Sequence, residues 1–115
     1  MVEVNILCDK VRFEEKALYE KTKSKGVESK IVDSKTITIG TYSNKKDFPL
    51  GDVILQRSVS YYRGLYLTAC LEFLGFKVIN RFEVGQTCGN KLITSITLIL
   101  LSFAFKTFSE KLVLQ

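Results

Sequence analysis

Two arginines and two serines surround one turn just after the most apolar strand-like run of this 115-residue chain: Arg57, Ser58, Ser60 and Arg63. Guanidinium forks and hydroxyls are donors that suit a carboxylate or a phosphate, so the turn could form an anion or substrate cradle. In the alternative interpretation, Ser60 caps the following helix and the arginines pair with carboxylates such as Asp9 or Glu83. The sequence favours this second arrangement.

Three further polar residues, Asp9, Asn80 and Glu83, follow the ends of neighbouring predicted strands. Ligands of parallel sheets bind beyond the carboxyl ends of the strands, so we expect these side chains near the same edge. Ion pairs, interdomain contacts or substrate contacts are the roles expected for them. No catalytic residue is predicted.

The chain contains no histidine, which excludes a Ser-His-Asp triad, a Cys-His pair and a zinc site with imidazole ligands. Its cysteines, Cys8, Cys70 and Cys88, are far apart and include no C-x-x-C pair, so neither a disulfide framework nor a metal site is predicted. We expect reduced, buried thiols in a cytoplasmic protein. No basic leader precedes the first apolar run, so no signal peptide is predicted.

The formal net charge is +5, but the lysines are scattered along the chain. Nucleic-acid binding needs a basic patch with arginine or aromatic anchors, so a nucleic-acid partner is not expected. Tyr61, Tyr62 and Tyr66 are interpreted as core or interface aromatics rather than as a platform for stacking bases. With 46% hydrophobic residues, the chain is long enough for one globular domain.

The predicted strands and helices alternate along the chain. Strands are expected over residues 2–8, 27–32, 52–57 and 77–79, and helices over 12–25 and 61–74. A short helix or turn covers 81–88, another helix begins near Asn90, and residues 35–39 extend or follow the second strand. This alternation predicts a single Rossmann-like α/β domain with a mainly parallel sheet and helices on both faces. Neither Gly-x-Gly-x-x-Gly nor a Walker loop is present.

Two helices have apolar residues at helical spacing that should face the sheet. In the first helix these are Phe13, Ala17 and Leu18. In the second they are Leu65, Ala69 and Phe73.

A run of fourteen uncharged residues, LITSITLILLSFAF, occupies positions 92–105. A helix of that length spans about 21 Å, short of a bilayer core of about 30 Å. We therefore expect a buried helix or an oligomer interface, and no membrane contact.

Several segments resemble the N-terminal, pre-ATP-grasp domain of LysX/RimK-type ATP-grasp ligases of lysine and arginine biosynthesis. They are ILCDKVRFEEKALYE near the N-terminus, DVILQRSVSYYRG from Asp52, the VIN–E pairing, and QTCGNK ending at Lys91. The resemblance covers residues 4–97. The chain departs from the family where Cys8 and Lys10 replace Tyr and Arg, and where Asn90 replaces Asp.

The resemblance implies a pre-ATP-grasp domain over residues 1–97 and a divergent apolar tail over 98–115. Complete ligases of this family use ATP and Mg²⁺ to activate a carboxylate, and join α-aminoadipate or glutamate to a small acidic amino-group carrier protein. The match stops before the ATP-grasp part, so we expect a stand-alone domain that is not catalytic alone and needs no cofactor. A truncated gene is the hypothesis for its origin.

The resemblance also places Lys91 at the nucleotide phosphates of a complete ligase; the alternative is a solvated lysine that ends a polar turn. The expected partners are further copies of the chain, the acidic carrier protein, or a separate ATP-grasp chain. The alternative function is a non-catalytic partner or regulatory subunit that binds a carrier protein or nucleic acid through its basic surface.

Overall fold

The computed structural model describes residues 2–114. Within that part, one four-stranded parallel sheet has the strand order β2-β1-β3-β4. Its strands are β1 (Glu3–Cys8), β2 (Glu28–Asp33), β3 (Val53–Gln56) and β4 (Lys77–Ile79). The helices are α1 (Phe13–Ser24), α2 (Tyr61–Phe73), α3 (Phe82–Cys88) and α4 (Lys91–Leu114). The predicted α/β fold with a parallel sheet is confirmed.

The order of the strands explains why helices lie on both faces of the sheet. The chain moves from β1 through α1 to β2 on one side, and from β3 through α2 to β4 on the other. Right-handed crossovers in opposite directions put α1 and α2 on opposite faces. They also make the carboxyl edge between β1 and β3 the point where the strand order reverses, which is the usual ligand crevice of such sheets.

The core of the sheet lies on the α2 face. Five buried side chains form it: Leu7, Ile54, Leu71, Phe76 and Val78. The strand register brings three of the strands together there, because Ile54 on β3 lies opposite both Asn5 on β1 and Val78 on β4. This central apolar cluster makes the sheet rigid enough to hold the loops at its carboxyl edge.

A buried asparagine and a glycine fix the loop that enters β3. The Asn5 side chain accepts the N–H of Gly51 at 2.9 Å and donates to Glu3 at 3.1 Å. A Cβ on Gly51 would lie 2.8 Å from the Glu3 carbonyl oxygen, so the close approach of the two backbones requires glycine here.

The apolar faces predicted for α1 and α2 are wrong at Phe13, Ala17 and Phe73, which are exposed, whereas Leu18, Leu65 and Ala69 are half-buried. Phe13 is 82% exposed and Phe73 is 90% exposed, whereas the buried residue of α1 is Glu15. In α2 the buried residues are Gly64, Thr68 and Leu71. Gly64 and Thr68 are small, which lets α2 lie close to β3. At these two positions, the distance from the sheet determines the burial of the residue, and its hydrophobicity does not.

The strand expected over residues 35–39 is replaced by a 3-10 turn, Ser34–Thr36. Asp33 causes the change of direction, because its carboxylate accepts the N–H of Lys35 at 2.9 Å and so ends β2. Beyond the turn, Ile37 and Ile39 pack against the core cluster.

The chain divides into two compact units, one ending at Phe82 and one beginning at Glu83. The first unit contains the sheet with α1 and α2. The second consists of α4 and nearly all of α3. The domain boundary expected at residue 97 stays a prediction, and that residue lies inside α4.

The expectation of a buried apolar tail is wrong for the described residues. The fourteen uncharged residues belong to a longer helix, because α4 runs without interruption over 24 residues. None of its segment Lys91–Lys111 is buried. The oligomer interface stays a prediction.

The cysteines also differ from expectation. Cys8 is buried at the end of β1, but Cys70 and Cys88 are exposed. Both exposed thiols lie on helices, and a helix of a small domain has a wide outward face on which an apolar residue remains in contact with water.

Candidate functional site

Asp9 closes the carboxyl edge of the sheet by binding the start of α2. Its two carboxylate oxygens accept the backbone N–H groups of Val59 at 2.8 Å and Ser60 at 2.9 Å. Arg63, one turn into α2, donates to the same carboxylate at 3.3 Å. The first N–H groups of a helix have no partner within the helix, so a negative side chain at this position stabilises it.

This arrangement sets the ionisation of Asp9. Burial by itself raises the pKa of Asp9, but the hydrogen bonds from Val59 and Ser60 and the charge of Arg63 outweigh it and lower the pKa. The carboxylate thus stays charged and occupies the helix start that an external anion would otherwise use. Ser60 begins the helix without a side-chain cap, so Asp9 takes the capping role that the sequence alternative gave to the serine.

A second cluster joins α1 to the end of β3. Glu15 is fully buried, and its Oε1 lies 2.7 Å from Nη2 of Arg12 and 3.4 Å from Nε of Arg57. The other carboxylate oxygen accepts the backbone N–H of Arg12 at 3.0 Å. One carboxylate therefore positions two guanidinium groups at the edge where β1 and β3 end, and the cluster keeps a net positive charge.

Arg12 has the largest effect on the pKa of Glu15. The hydrogen bond from the Arg12 side chain is the main cause that lowers it to about 2, from an ordinary 4.5, against the opposing effect of burial. Cys8 lies beside this cluster, and burial first, then the charges of Glu15 and Asp33, raise the pKa of its thiol. Cys8 is therefore a neutral, unreactive thiol at neutral pH.

Two polar atoms at this edge are buried without a hydrogen-bond partner in the part of the chain that the structure describes: Arg57 Nε and Ser58 Oγ. Arg57 and Glu15 therefore form an ion pair, but the Nε–H of Arg57 is not oriented to donate a hydrogen bond to the carboxylate. The side chain of Arg57 is still 40% exposed, and that of Arg12 is 38% exposed. Both retain donors that can reach an external carboxylate or phosphate.

An open depression of about 550 Å³ lies beside Arg57. The exposed face of α1 lines the rest of it with Phe13, Glu14, Ala17, Leu18 and Lys21. The depression combines an arginine with an exposed aromatic ring and aliphatic side chains, which is a composition typical of protein-binding surfaces.

The structure divides the residues predicted for the site into two groups. Five of them lie at the carboxyl edge of the sheet: Arg57, Ser58, Ser60, Arg63 and Asp9. Asp9 pairs with Arg63, as expected if the arginines pair with carboxylates of the chain. Asn80 is exposed just after β4. Glu83 and Lys91 belong to the second unit, as the first turn of α3 and the first residue of α4.

Asn90 explains the start of α4 and the position of Lys91. Its side-chain oxygen accepts the N–H groups of Leu92 at 3.0 Å and Ile93 at 3.2 Å, as an N-cap does. The amide thus performs the capping that the aspartate of the family would perform. Lys91 is left with an exposed ammonium group at the helix start.

The tyrosines of α2 are at the surface and not in the core. Tyr62 and Tyr66 are exposed, their rings stack at 5.9 Å, and Tyr61 meets Tyr62 edge to face at 5.1 Å. The expectation of a core role is therefore wrong for Tyr62 and Tyr66.

Sequence reasoning missed Arg12 and Glu15 as site residues. Glu15 is the third residue of α1, and an acidic residue at that position commonly bonds back to the start of its helix, which was the available signal. No local pattern connects either residue to Arg57, which is distant in the chain and arrives through strand pairing.

Residues 2–114 contain no group of three or more cysteine, aspartate or glutamate side chains placed to hold a metal ion. Arg12, Arg57 and Lys91 are the cations that could meet an anionic group.

A family model, the LysX preATP-grasp domain, matches residues 4–87. Two curated proteins are similar to most of the chain. The glutamate–LysW ligase ArgX of Sulfurisphaera tokodaii is 36% identical over 93 residues, which is 79% of this chain. The alpha-aminoadipate–LysW ligase LysX of Saccharolobus solfataricus is 34% identical over 90 residues, or 76% of this chain. In each case the match covers 31% of the relative, so the chain spans about a third of their length.

A solved structure agrees on the fold. The RimK domain ATP-grasp protein of Sphaerobacter thermophilus matches 85% of this chain and 36% of its own, with a TM-score of 0.68 and 23% identity.

Proposed function

Because the chain belongs to the LysX preATP-grasp domain family, we propose that it serves a lysine- or arginine-biosynthesis ligase as a recognition domain and does not itself perform the chemical step. The match over residues 4–87 carries this proposal, since it covers the whole sheet and both clusters at its carboxyl edge. The relatives are ligases of LysW by name, so the partner proposed for this chain is a LysW-type carrier protein.

The chemistry of the described residues supports the non-catalytic part of the proposal. Carboxylate activation by ATP requires acidic ligands for Mg²⁺ and several donors on the transferred phosphoryl group. The described residues offer no such acidic group. The best-placed helix start, that of α2, is already bound by Asp9.

The charge of the carboxyl edge supports the recognition part. Arg12 and Arg57 share the carboxylate of Glu15, and Lys21 and Glu14 line the depression beside them, so these five residues together carry one net positive charge. Family resemblance implies that the carrier is acidic. A carrier carboxylate would meet guanidinium groups whose orientation Glu15 has already fixed, which lowers the entropy lost on binding. The net charge of +5 would speed the encounter.

The test is calorimetric titration of the chain with the LysW protein of Sulfurisphaera tokodaii at low and high salt. We expect binding that weakens as salt increases. Arg57→Ala should reduce the affinity about tenfold, because a charge-assisted contact to a carboxylate contributes about 1.5 kcal/mol or more. The matched control is Lys46→Ala, which removes an exposed cation from the loop before β3 and should leave the affinity unchanged.

Equal losses in Arg57→Ala and Lys46→Ala would show binding by net charge alone and would contradict a specific site. Binding of duplex DNA as tight as that of the carrier would favour the alternative of a nucleic-acid-binding module. The non-catalytic role is tested separately by incubating the purified chain with Mg-ATP. We expect no turnover of ATP, and turnover of ATP would contradict the non-catalytic role.

Lys91 belongs to the same proposal. In a complete ligase its ammonium group, at the start of α4, would contact the nucleotide phosphates. The N–H groups near a helix start support such a contact. In this chain we expect Lys91→Ala to leave carrier binding unchanged.

A further inference from the structure

The helix α4 presents apolar side chains in every direction around its axis. Leu98, Ile99, Leu100 and Leu101 are consecutive, and each is between 55% and 63% exposed. Successive residues of an α-helix are about 100° apart, so these four alone surround most of the circumference. A helix that is apolar all round is typical of a large protein core or of a membrane, not of a surface helix with one buried stripe.

The residues that the structure describes do not bury α4, so it is not a core helix of that part of the chain. None of the segment Lys91–Lys111 is buried, and an 18-residue window within it has a mean hydropathy of 1.7. The segment follows the sheet unit, so it is not an N-terminal signal sequence either. A second copy packed along one seam would leave the other faces in water, because a helix pair covers only a stripe of each helix.

The length of the segment fits a bilayer. Its 21 residues extend over about 31 Å, against a hydrocarbon core of about 30 Å. A membrane span was not expected from the sequence because the helix length was calculated from the uncharged run alone. The full length of the segment removes that objection. The helix does not end at Lys106.

Most hydroxyls within the segment are compatible with lipid. Four of the six donate to the backbone carbonyl one turn earlier, at 2.8–3.0 Å: Thr94, Thr97, Ser102 and Thr107. A hydroxyl satisfied in this way exposes no free donor to hydrocarbon. Lys106 lies one and a half turns from Lys111, near enough to the end for its long side chain to reach the head groups.

The charges at the two ends identify the kind of bilayer. Lys91 stands at one end, and Lys106 and Lys111 stand at the other with a single acidic residue, Glu110. Basic residues at the ends of a hydrophobic span bind negatively charged head groups. We propose that α4 inserts across a lipid bilayer containing anionic lipids, with Lys91–Lys111 as the spanning segment, and tethers the recognition domain to that surface.

Flotation with vesicles tests the insertion. The 115-residue chain is mixed with vesicles of phosphatidylcholine and a minority of phosphatidylglycerol, and the floating fraction is washed with high salt and alkaline carbonate. We expect the chain to stay with the vesicles through both washes. Leu100→Lys places a charge at mid-span and should reduce the retained fraction by about tenfold or more. The matched control is Phe73→Lys, the same chemistry at an exposed apolar residue of α2, which should change nothing.

Tryptophan quenching distinguishes a spanning helix from one that lies on the surface. The chain has no tryptophan, so Leu100→Trp and Leu92→Trp each introduce a single probe. With brominated lipids we expect Leu100→Trp to be quenched most by deep bromines and Leu92→Trp by shallow ones. Shallow quenching of both would overturn the spanning arrangement.

Two other results would overturn the proposal. The unmodified chain could remain in solution below the vesicles, which excludes a lipid partner even if the variants misfold. It could also form a defined oligomer that ignores vesicles and that Leu100→Lys converts to monomers, in which case further copies of the chain cover α4. Neither result affects the carrier-binding proposal, which rests on the sheet edge and has its own titration.

Discussion

The carboxyl edge of the sheet and the helix α4 reverse the usual positions of polar and apolar groups. At the edge, charged groups are enclosed and partnered: Glu15 is fully buried between Arg12 and Arg57, and Asp9 binds the start of α2. In α4, large apolar side chains are exposed at many positions from Leu92 to Phe108. The charged groups of the sheet edge therefore have partners within the sheet unit, whereas the apolar side chains at those positions of α4 remain exposed.

The largest expected difference between these two regions comes from one substitution made in each. Leu71→Ala removes a fully buried core side chain and should lower the free energy of unfolding by about 3 kcal/mol. Leu100→Ala, the same change in α4, should alter it by no more than about 0.5 kcal/mol. Urea denaturation followed by circular dichroism measures both, and equal effects would mean that α4 belongs to the folded core.

Glu15→Gln tests the enclosed charges of the edge. Loss of the carboxylate leaves Arg12 and Arg57 without a shared partner, so we expect the free energy of unfolding at neutral pH to fall by about 2 kcal/mol. This is less than for a fully buried ion pair, because both arginines are partly exposed to water. Glu20→Gln, at an exposed position of the same helix, is the control and should have little effect.

The pH dependence of the same residue gives a second measurement. The pKa of Glu15 is lowered to about 2 in the folded chain from an ordinary 4.5, so its stabilisation is fully present above pH 4.5 and disappears as the pH falls toward about 2. Acid unfolding of the chain should therefore be steeper than that of Glu15→Gln in this window. Identical slopes would show that the ion pairs contribute nothing to stability.

Asp9→Ala should have a smaller effect, about 1 kcal/mol, through loss of the cap on α2. Asp9→Asn retains one acceptor oxygen and should lose less than the alanine variant. Both values come from the same denaturation experiment. Equal losses in the two variants would mean that Asp9 acts by charge alone, through Arg63.

The smallest effect concerns the thiols and leaves stability unchanged. Cys70 and Cys88 are exposed and should react rapidly with a maleimide, whereas Cys8 is buried with a raised pKa and should react only after unfolding. Mass spectrometry of the labelled native chain should show two modified thiols. Rapid labelling of Cys8 would indicate that the end of β1 opens in the native state.

Local patterns were enough to predict the order of the elements and most of their bounds. β1 and β3 are short apolar runs, and α1 is followed by Gly26 with a φ of 74°, a helix stop visible in the sequence. The parallel sheet follows from the alternation of such elements. The order and bounds of the elements can be predicted because they depend on residues that are close together in the sequence.

Two of the misses share a physical cause, since they depend on contacts between distant parts of the chain. Glu15 meets Arg57 only because β1 and β3 pair, and no periodicity indicates that contact. The exposure of Phe13 follows from which face of α1 meets the sheet. The length of α4 was underestimated because Lys106 interrupts the uncharged run, and a lysine is a good helix former that does not end a helix.

The central claim is that the arginines held by Glu15 form a recognition surface for a LysW-type carrier. Backbone amide spectra of the isotope-labelled chain, recorded during titration with the unlabelled LysW protein of Sulfurisphaera tokodaii, test it most directly. We expect the largest shifts at Arg12, Arg57 and the exposed face of α1, and none of that size at Lys46. Shifts confined to other surfaces, or no shifts at all, would contradict the claim.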